Sequence, residues 1–156
     1  MLDWLEATPF AVWLRESPSI WSSAGILTLH TTAMAVLVGL SWLVDLRLLG
    51  LNRSIPLSAF RWVFTVVAVG LAVNLVTGAM LFVKNAAVWG TALPFFVKMA
   101  LVIASAATLV PIRRYVLSSD AGQIEAPSRV RLLAIVSICA WTAAVTAGRL
   151  LAYLVV

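Results

Sequence analysis

An all-α integral membrane protein, four transmembrane helices in one bundle with a short interfacial helix ahead of them, is the fold class that three features of the sequence predict. The 156-residue chain is 63% hydrophobic and only 11% charged, whereas a soluble domain is nearer half apolar and about a quarter charged. Apolar stretches long enough to cross a hydrocarbon core of about 30 Å as helices occur four times. The basic residues gather at the ends of those stretches, so the net charge of +5 is a topology signal and not a nucleic-acid-binding patch. One cysteine, Cys139, excludes an internal disulfide. No CxxC, CxxCH or paired-histidine metal motif is present. The start of the chain, with Asp3 and Glu6, lacks the basic region of a signal peptide. The whole is read as a single membrane domain, residues 1–156.

Residues 1–18 read as an interfacial entry segment. Thr8-Pro9 suits an N-cap and first helical position, and Phe10, Trp13 and Leu14 gather on one side of the turn that follows. Ser17-Pro18 breaks it. The first span, residues 19–44, contains Ile20 to Trp42, a run with no Asp, Glu, Lys or Arg and with the chain's only histidine, His30, near its middle. It ends at Asp45-Leu46-Arg47-Leu48-Leu49-Gly50, with Gly50 a helix C-cap. Spans two to four cover about residues 61–83, 94–112 and 130–154. The polar stretch 115–129 separates the last two. Val76-Thr77-Gly78-Ala79-Met80-Leu81 and Val145-Thr146-Ala147-Gly148-Arg149-Leu150 form a faint internal echo, compatible with tandem hairpins.

Arginines 47, 53, 61, 113, 114, 129 and 131 lie in two of the connections, and only Arg15, Lys84, Lys98 and Arg149 lie on the other side. The positive-inside rule therefore expects a multi-pass protein of a bacterial inner membrane with both termini periplasmic. Trp21, Trp89 and Tyr153 are expected at the outer interface, and Trp42, Trp62 and Tyr115 at the inner one. Trp141 falls mid-span and is expected to pack against another helix.

Helical rise places the polar residues of the spans at a common depth. His30 lies roughly 22 Å above Asp45, Lys98 roughly 22 Å above Arg113, Asn74 and Thr77 roughly 20–24 Å above Arg61, and Arg149 roughly 27 Å above Arg131. Each span then carries a polar group in its outer half. Facing adds detail. Cys139, Thr142, Thr146 and Arg149 share a stripe in the fourth span, as do Gly70, Asn74 and Gly78 in the second, and Lys98, Ser105 and Thr108 in the third. Ser23, His30 and Leu37 align in the first, with Met34 one turn below His30.

Two readings follow. In one, His30, Met34, Asn74, Thr77, Lys98 and Arg149 line an outward-facing pocket for an anionic or electron-rich partner: a quinone carbonyl, a haem propionate or a small anion. In the other, Lys98 and Arg149 snorkel to the interface and pair with Asp3, Glu6 or Glu16, and His30 bonds to Asn74 or a threonine to hold helices together. His30 is the candidate metal ligand. It could serve haem b as one axial ligand, with a methionine or the histidine of a second copy opposite, or copper together with Met34, Met80, Met99 and Cys139. Asp45 and Arg47 read as a topological anchor, pairing with Arg61 or Arg114 across helices. No serine or cysteine nucleophile sits beside a histidine, and no acidic dyad or phosphate loop is present, so no hydrolytic site is expected.

Trp4-Leu5-Glu6-Ala7-Thr8, Arg15-Glu16-Ser17, Leu29-His30, Gly39, Asp45-Leu46-Arg47-Leu48-Leu49-Gly50, Thr77-Gly78, Lys98-Met99 and Gly148-Arg149 together resemble a group of bacterial inner-membrane proteins known only as a domain of unknown function. The likeness covers nearly the whole chain, with DLRLLG and the late AGR its more specific parts. It implies the fold and the location. More distantly, the first helix, with His30 and then Gly39, is similar to the membrane domain of copper-resistance D proteins and of small membrane b-type cytochromes, which implies haem or copper at His30. The expectation is a non-enzymatic subunit that binds a redox cofactor, haem or quinone, or a small ligand around His30. It would act in the lipid bilayer within a homo-oligomer or membrane complex, or beside a periplasmic protein. The alternatives are a structural or assembly subunit with no ligand, and an oligomeric small-solute or metal transporter.

Overall fold

The computed structural model describes residues 2–118 and 125–154. Among them are two short N-terminal helices, α1 (Asp3–Glu6) and α2 (Pro9–Glu16), then α3 (Ser23–Leu48) and a 3-10 turn (Leu57–Phe60). Helices α4 (Val63–Lys84), α5 (Ala86–Trp89), α6 (Leu93–Ser118) and α7 (Ser128–Leu154) follow, and no strand occurs among the described residues. Four of these helices, α3, α4, α6 and α7, are long and apolar enough to cross a membrane. The chain is thus a multi-pass, all-α membrane protein, its lipid-facing surface covered by residues such as Leu27, Val69, Leu75, Ile103 and Val136.

Local chemistry sets most of the boundaries. Thr8 caps α2, its Oγ1 accepting from the Ala11 amide at 3.3 Å, with Pro9 at the first position. Ala11 and Leu14 are buried, while Phe10 and Trp13 stay exposed, their rings 6.1 Å apart. The first crossing starts at Ser23, later than residue 19, because serines hold residues 17–22 in turns. Ser22 Oγ donates to Ser19 O at 2.6 Å, and the Ser19 amide donates to Ser17 Oγ at 3.2 Å. Such short-range bonds compete with helical ones. At its other end α3 runs on to Leu48, so Asp45 and Arg47 lie within the helix and are both buried. Gly50, at φ +104°, then turns the chain as a C-cap glycine should. Helix α6 likewise continues past Ile112 to Ser118, through Pro111 and the Arg113-Arg114 pair.

The spans do not form a symmetric square. Helix α3 packs extensively on α4 and also on α7, and α7 packs extensively on α6. Helices α4 and α6 are joined at their ends. At one end Arg61 donates to Leu117 O at 3.1 Å. At the other, Phe82 and Phe95 stack with centroids 4.9 Å apart. The apolar core, with Leu37, Val44, Val63, Val67, Ile112 and Trp141 at its centre, fills the half of the bundle nearer the arginine-rich connections. Trp141, 0% exposed, packs between helices as its mid-span position implies. Trp42, near the arginine-rich end of α3, packs against this core.

The opposite end is closed by a strap made of α1, α2 and the connection around α5. Arg15 donates to Glu6 O at 2.8 Å and to Lys84 O at 3.3 Å, and Glu6 Oε1 accepts from the Ala87 amide at 2.8 Å. Lys84 Nζ donates to Ser23 Oγ at 2.7 Å. Glu6 is thereby committed to Arg15 and α5, and pairs with neither Lys98 nor Arg149.

Arg47 does a different job from the one expected. It does not pair with an acidic group among the described residues; its guanidinium turns back onto the loop that follows α3, Nε donating to Ile55 O at 2.7 Å and Nη2 to Arg53 O at 3.1 Å. Hydrogen bonds from a charged donor are worth about 1.5–3 kcal/mol each. Arg47→Leu is expected to lower the unfolding midpoint in detergent by the equivalent of about 2–4 kcal/mol. Arg47→Lys should restore little of it, because an ammonium cannot hold the two carbonyls as a fork. Full rescue by lysine would show that charge alone, and not the fork, matters there.

Candidate functional site

In the strap-side half of the bundle the apolar core gives way to a polar layer, and the residues on the facing sides of α3 and α4 explain its form. Helix α4 turns Gly70, Asn74, Thr77 and Gly78 toward α3. A Cβ on Gly70 would lie 3.5 Å from both Ala33 O and Leu37 Cβ, so the two backbones run close. A Cβ on Gly78 would lie 3.2 Å from His30 Cε1, so the imidazole rests directly on that glycine. Asn74 Nδ2 donates to the backbone carbonyl of His30 at 2.9 Å. His30 Nδ1 is 2.9 Å from Thr77 Oγ1.

The threonine decides how the ring is protonated. Thr77 has one hydroxyl hydrogen, and its Oγ1 is 2.7 Å from Val73 O, the back-bond usual for a helical threonine. With the hydrogen spent there, Oγ1 accepts from His30, so Nδ1 carries the ring proton. In the neutral ring Nε2 then holds a lone pair, and it has no hydrogen-bond partner among the described residues. Fixing one ring nitrogen to leave the other basic is how proteins orient a ligating or proton-accepting histidine.

Lys98 of α6 completes the layer. Its side chain crosses Gly148 of α7, where an added Cβ would lie 3.3 Å from Lys98 Cε. The residue is half-buried. It has no hydrogen bond or ion pair among the described residues. Ser105 and Thr108, on the same face of α6, are buried as the spacing implies, each donating to its own helix. Of the six candidate residues, His30, Asn74 and Thr77 therefore bond to one another, and Lys98 lies in the same half of the bundle. Met34, one turn along α3, is half-buried and packs against the apolar core below.

Arg149 does not join them. It is exposed, as are Cys139, Thr142 and Thr146, so the whole predicted stripe of the fourth span faces outward. The face that turns inward is Ala134, Ser137, Trp141, Ala144 and Leu151, which shares the 3-4 spacing and carries the large indole that fills the core. The threonines tolerate the apolar surface because they bond to their own helix, Thr142 to Ile138 O at 2.7 Å and Thr146 to Thr142 O at 2.9 Å. Three of its residues, Cys139, Thr142 and Thr146, line a shallow groove of about 490 Å³ along α7 with Ala143, Ala147 and Leu150. Cys139 is consequently on a surface away from the His30 seat and is not available to a copper site there. No group of three or more His, Cys, Asp or Glu able to hold a metal exists among the described residues.

A second polar layer escaped the sequence reading. Asp45, only 1% exposed, faces Ser137 of α7 across the α3–α7 seam. The contact is not a well-formed hydrogen bond: Asp45 Oδ2 and Ser137 Oγ are both buried without one, as are the indole nitrogens of Trp42 and Trp141. The expected ion pair of Asp45 with Arg61 or Arg114 is not made. The available signal was Leu48-Leu49 after Arg47, which keeps the helix going and draws both charges inside it.

The class that fold and geometry define is a four-span membrane protein with a histidine–lysine layer in one half and a lone buried carboxyl in the other. Comparison with protein-family models, with curated proteins and with solved structures finds no match to this chain.

The His30 seat makes a sharp prediction. Gly78→Ala should push the ring off Thr77 and cost about 1–3 kcal/mol of stability, the usual penalty for overpacking. His30 is the sole histidine, so its ring resonances report the displacement without assignment ambiguity. Unchanged resonances and an unchanged melting point would mean that the ring does not lie on Gly78.

Proposed function

We propose that the chain is a non-enzymatic subunit of a bacterial inner membrane, both termini periplasmic, that binds the head group of a quinone between His30 and Lys98. The placement rests on the arginine distribution and on the sequence resemblance. The ligand assignment rests on one observation: an imidazole whose Nδ1 is committed to Thr77 shares its half of the bundle with the Lys98 ammonium, which packs over Gly148 and has no hydrogen bond or ion pair among the described residues. A quinone carbonyl takes a hydrogen bond from Lys98, and the hydroxyl of the reduced form donates to His30 Nε2. Such a molecule reaches the layer from within the bilayer. Haem b is the weaker fit, because one histidine supplies one axial ligand and Met34 is packed into the apolar core.

A second reading, a structural or assembly subunit, is favoured by the same Thr77 and Asn74 bonds, which join α3 to α4 without any ligand. A short-chain quinone titrated into protein in nanodiscs separates the two. The quinone reading expects saturable binding that His30→Ala and Lys98→Ala each weaken at least tenfold, which is about 1.4 kcal/mol. The structural reading expects no binding, a loss of stability in His30→Ala and none in Lys98→Ala. A Soret band in the purified protein would replace quinone by haem.

A further inference from the structure

The four unpartnered buried atoms at the other end of α3 form a set. Helices α3 and α7 run antiparallel, with Asp45 of one facing Ser137 of the other. Trp42 lies three residues from Asp45, and Trp141 four residues from Ser137, both toward the strap. At 1.5 Å rise per residue the two indoles stand within about 2 Å of the same depth. Ser41, beside Trp42, is also buried and donates to Leu37 O at 2.8 Å.

Together the layer offers two N–H groups that can only donate, a carboxyl oxygen and a hydroxyl, none of them hydrogen-bonded. Unmet polar atoms of this kind are costly in an apolar interior and are normally satisfied by buried water. Water accepts from the indoles and donates to the carboxyl and the hydroxyl. The carboxyl also carries a charge problem, since an ionised group buried without a counter-charge is far costlier than an unmet hydrogen bond. No cation answers it. Arg47, two residues on, is spent on the loop carbonyls, and Asp45 has no ion pair among the described residues.

We propose that Asp45 and Ser137, framed by the Trp42 and Trp141 indoles, form a buried site that binds water and an exchangeable proton. The site is separate from the His30 layer, roughly 22 Å away along α3, and does not depend on the quinone reading. Asp45 sits one turn from the end of α3, where a narrow crevice lined by Leu48, Gly50, Arg53, Glu125 and Arg131 opens at the arginine-rich end.

Two measurements on the intact protein in lipid vesicles test this. Dicyclohexylcarbodiimide adds to protonated carboxyls in apolar surroundings, and peptide mass mapping should find its adduct on Asp45 in excess over Asp3, Glu6, Glu16 and Glu125. Infrared spectra should show a protonated-carboxyl band that shifts in D2O, moves with carboxyl-13C aspartate labelling and is lost in Asp45→Asn. Should that variant not fold, the isotope shift in the wild-type protein still assigns the band to aspartate, and the adduct map assigns it to Asp45. Trp141→Phe and Ser137→Ala should each shift the band by removing a partner of the bound water. An unmodified Asp45 with no such band overturns the proton; a band unmoved in both variants overturns the water.

Discussion

The imidazole of His30 cannot rest in a bundle clad in hydrocarbon without partners, and the α3–α4 seam is shaped to provide them. Two glycines bring the backbones together, and between them Asn74 and Thr77 reach across to the carbonyl and the ring of one residue. Much else follows from this pairing. It fixes which helix lies beside α3 and which ring nitrogen is committed. In the absence of water, backbone and side-chain groups have few alternatives to such bonds, so a single histidine can set the geometry of half the molecule.

The bundle is divided by depth. Near the arginine-rich connections it is a packed apolar core around Trp141, with Arg47 holding the loop after α3. Toward the strap the packing is polar and more open, and the strap closes that end through Arg15, Glu6 and Lys84. Each half carries a buried or half-buried ionisable group with no opposite charge among the described residues: Lys98 in the polar half and Asp45 in the apolar one. An intramembrane charge of that kind points to a ligand, a proton or a path. The two proposals, a quinone head group at His30 and Lys98 and a hydrated proton site at Asp45, take these groups one by one and stand or fall separately.

Span number was legible from apolar run length, and the level at which His30 meets Asn74 and Thr77 from helical rise. The glycine-lined face of α4 was legible too, because Gly70, Asn74 and Gly78 recur at one helical spacing, and that spacing survives packing. The facing of α7 was not. Its sequence holds two stripes of similar period, one with Cys139, Thr142, Thr146 and Arg149 and one with Ser137, Trp141 and Ala144. Polarity favours the first as the interior face, but threonines that bond to their own helix carry little penalty in lipid, and the volume of the indole decides for the second. Asp45 was misread for a related reason. A charge pair beside a glycine looks like the end of a span, yet Leu48 and Leu49 extend the helix and bury both members.

The position of one ring carries the account. Solid-state NMR of the protein in bilayers, with labelled histidine, threonine, lysine and glycine, measures it directly. Through-space contacts from the His30 ring to the Thr77 side chain, and from the Lys98 side chain to Gly148, are the expected result. A His30 ring in contact with lipid acyl chains and not with Thr77, or a Lys98 side chain remote from Gly148, would contradict it.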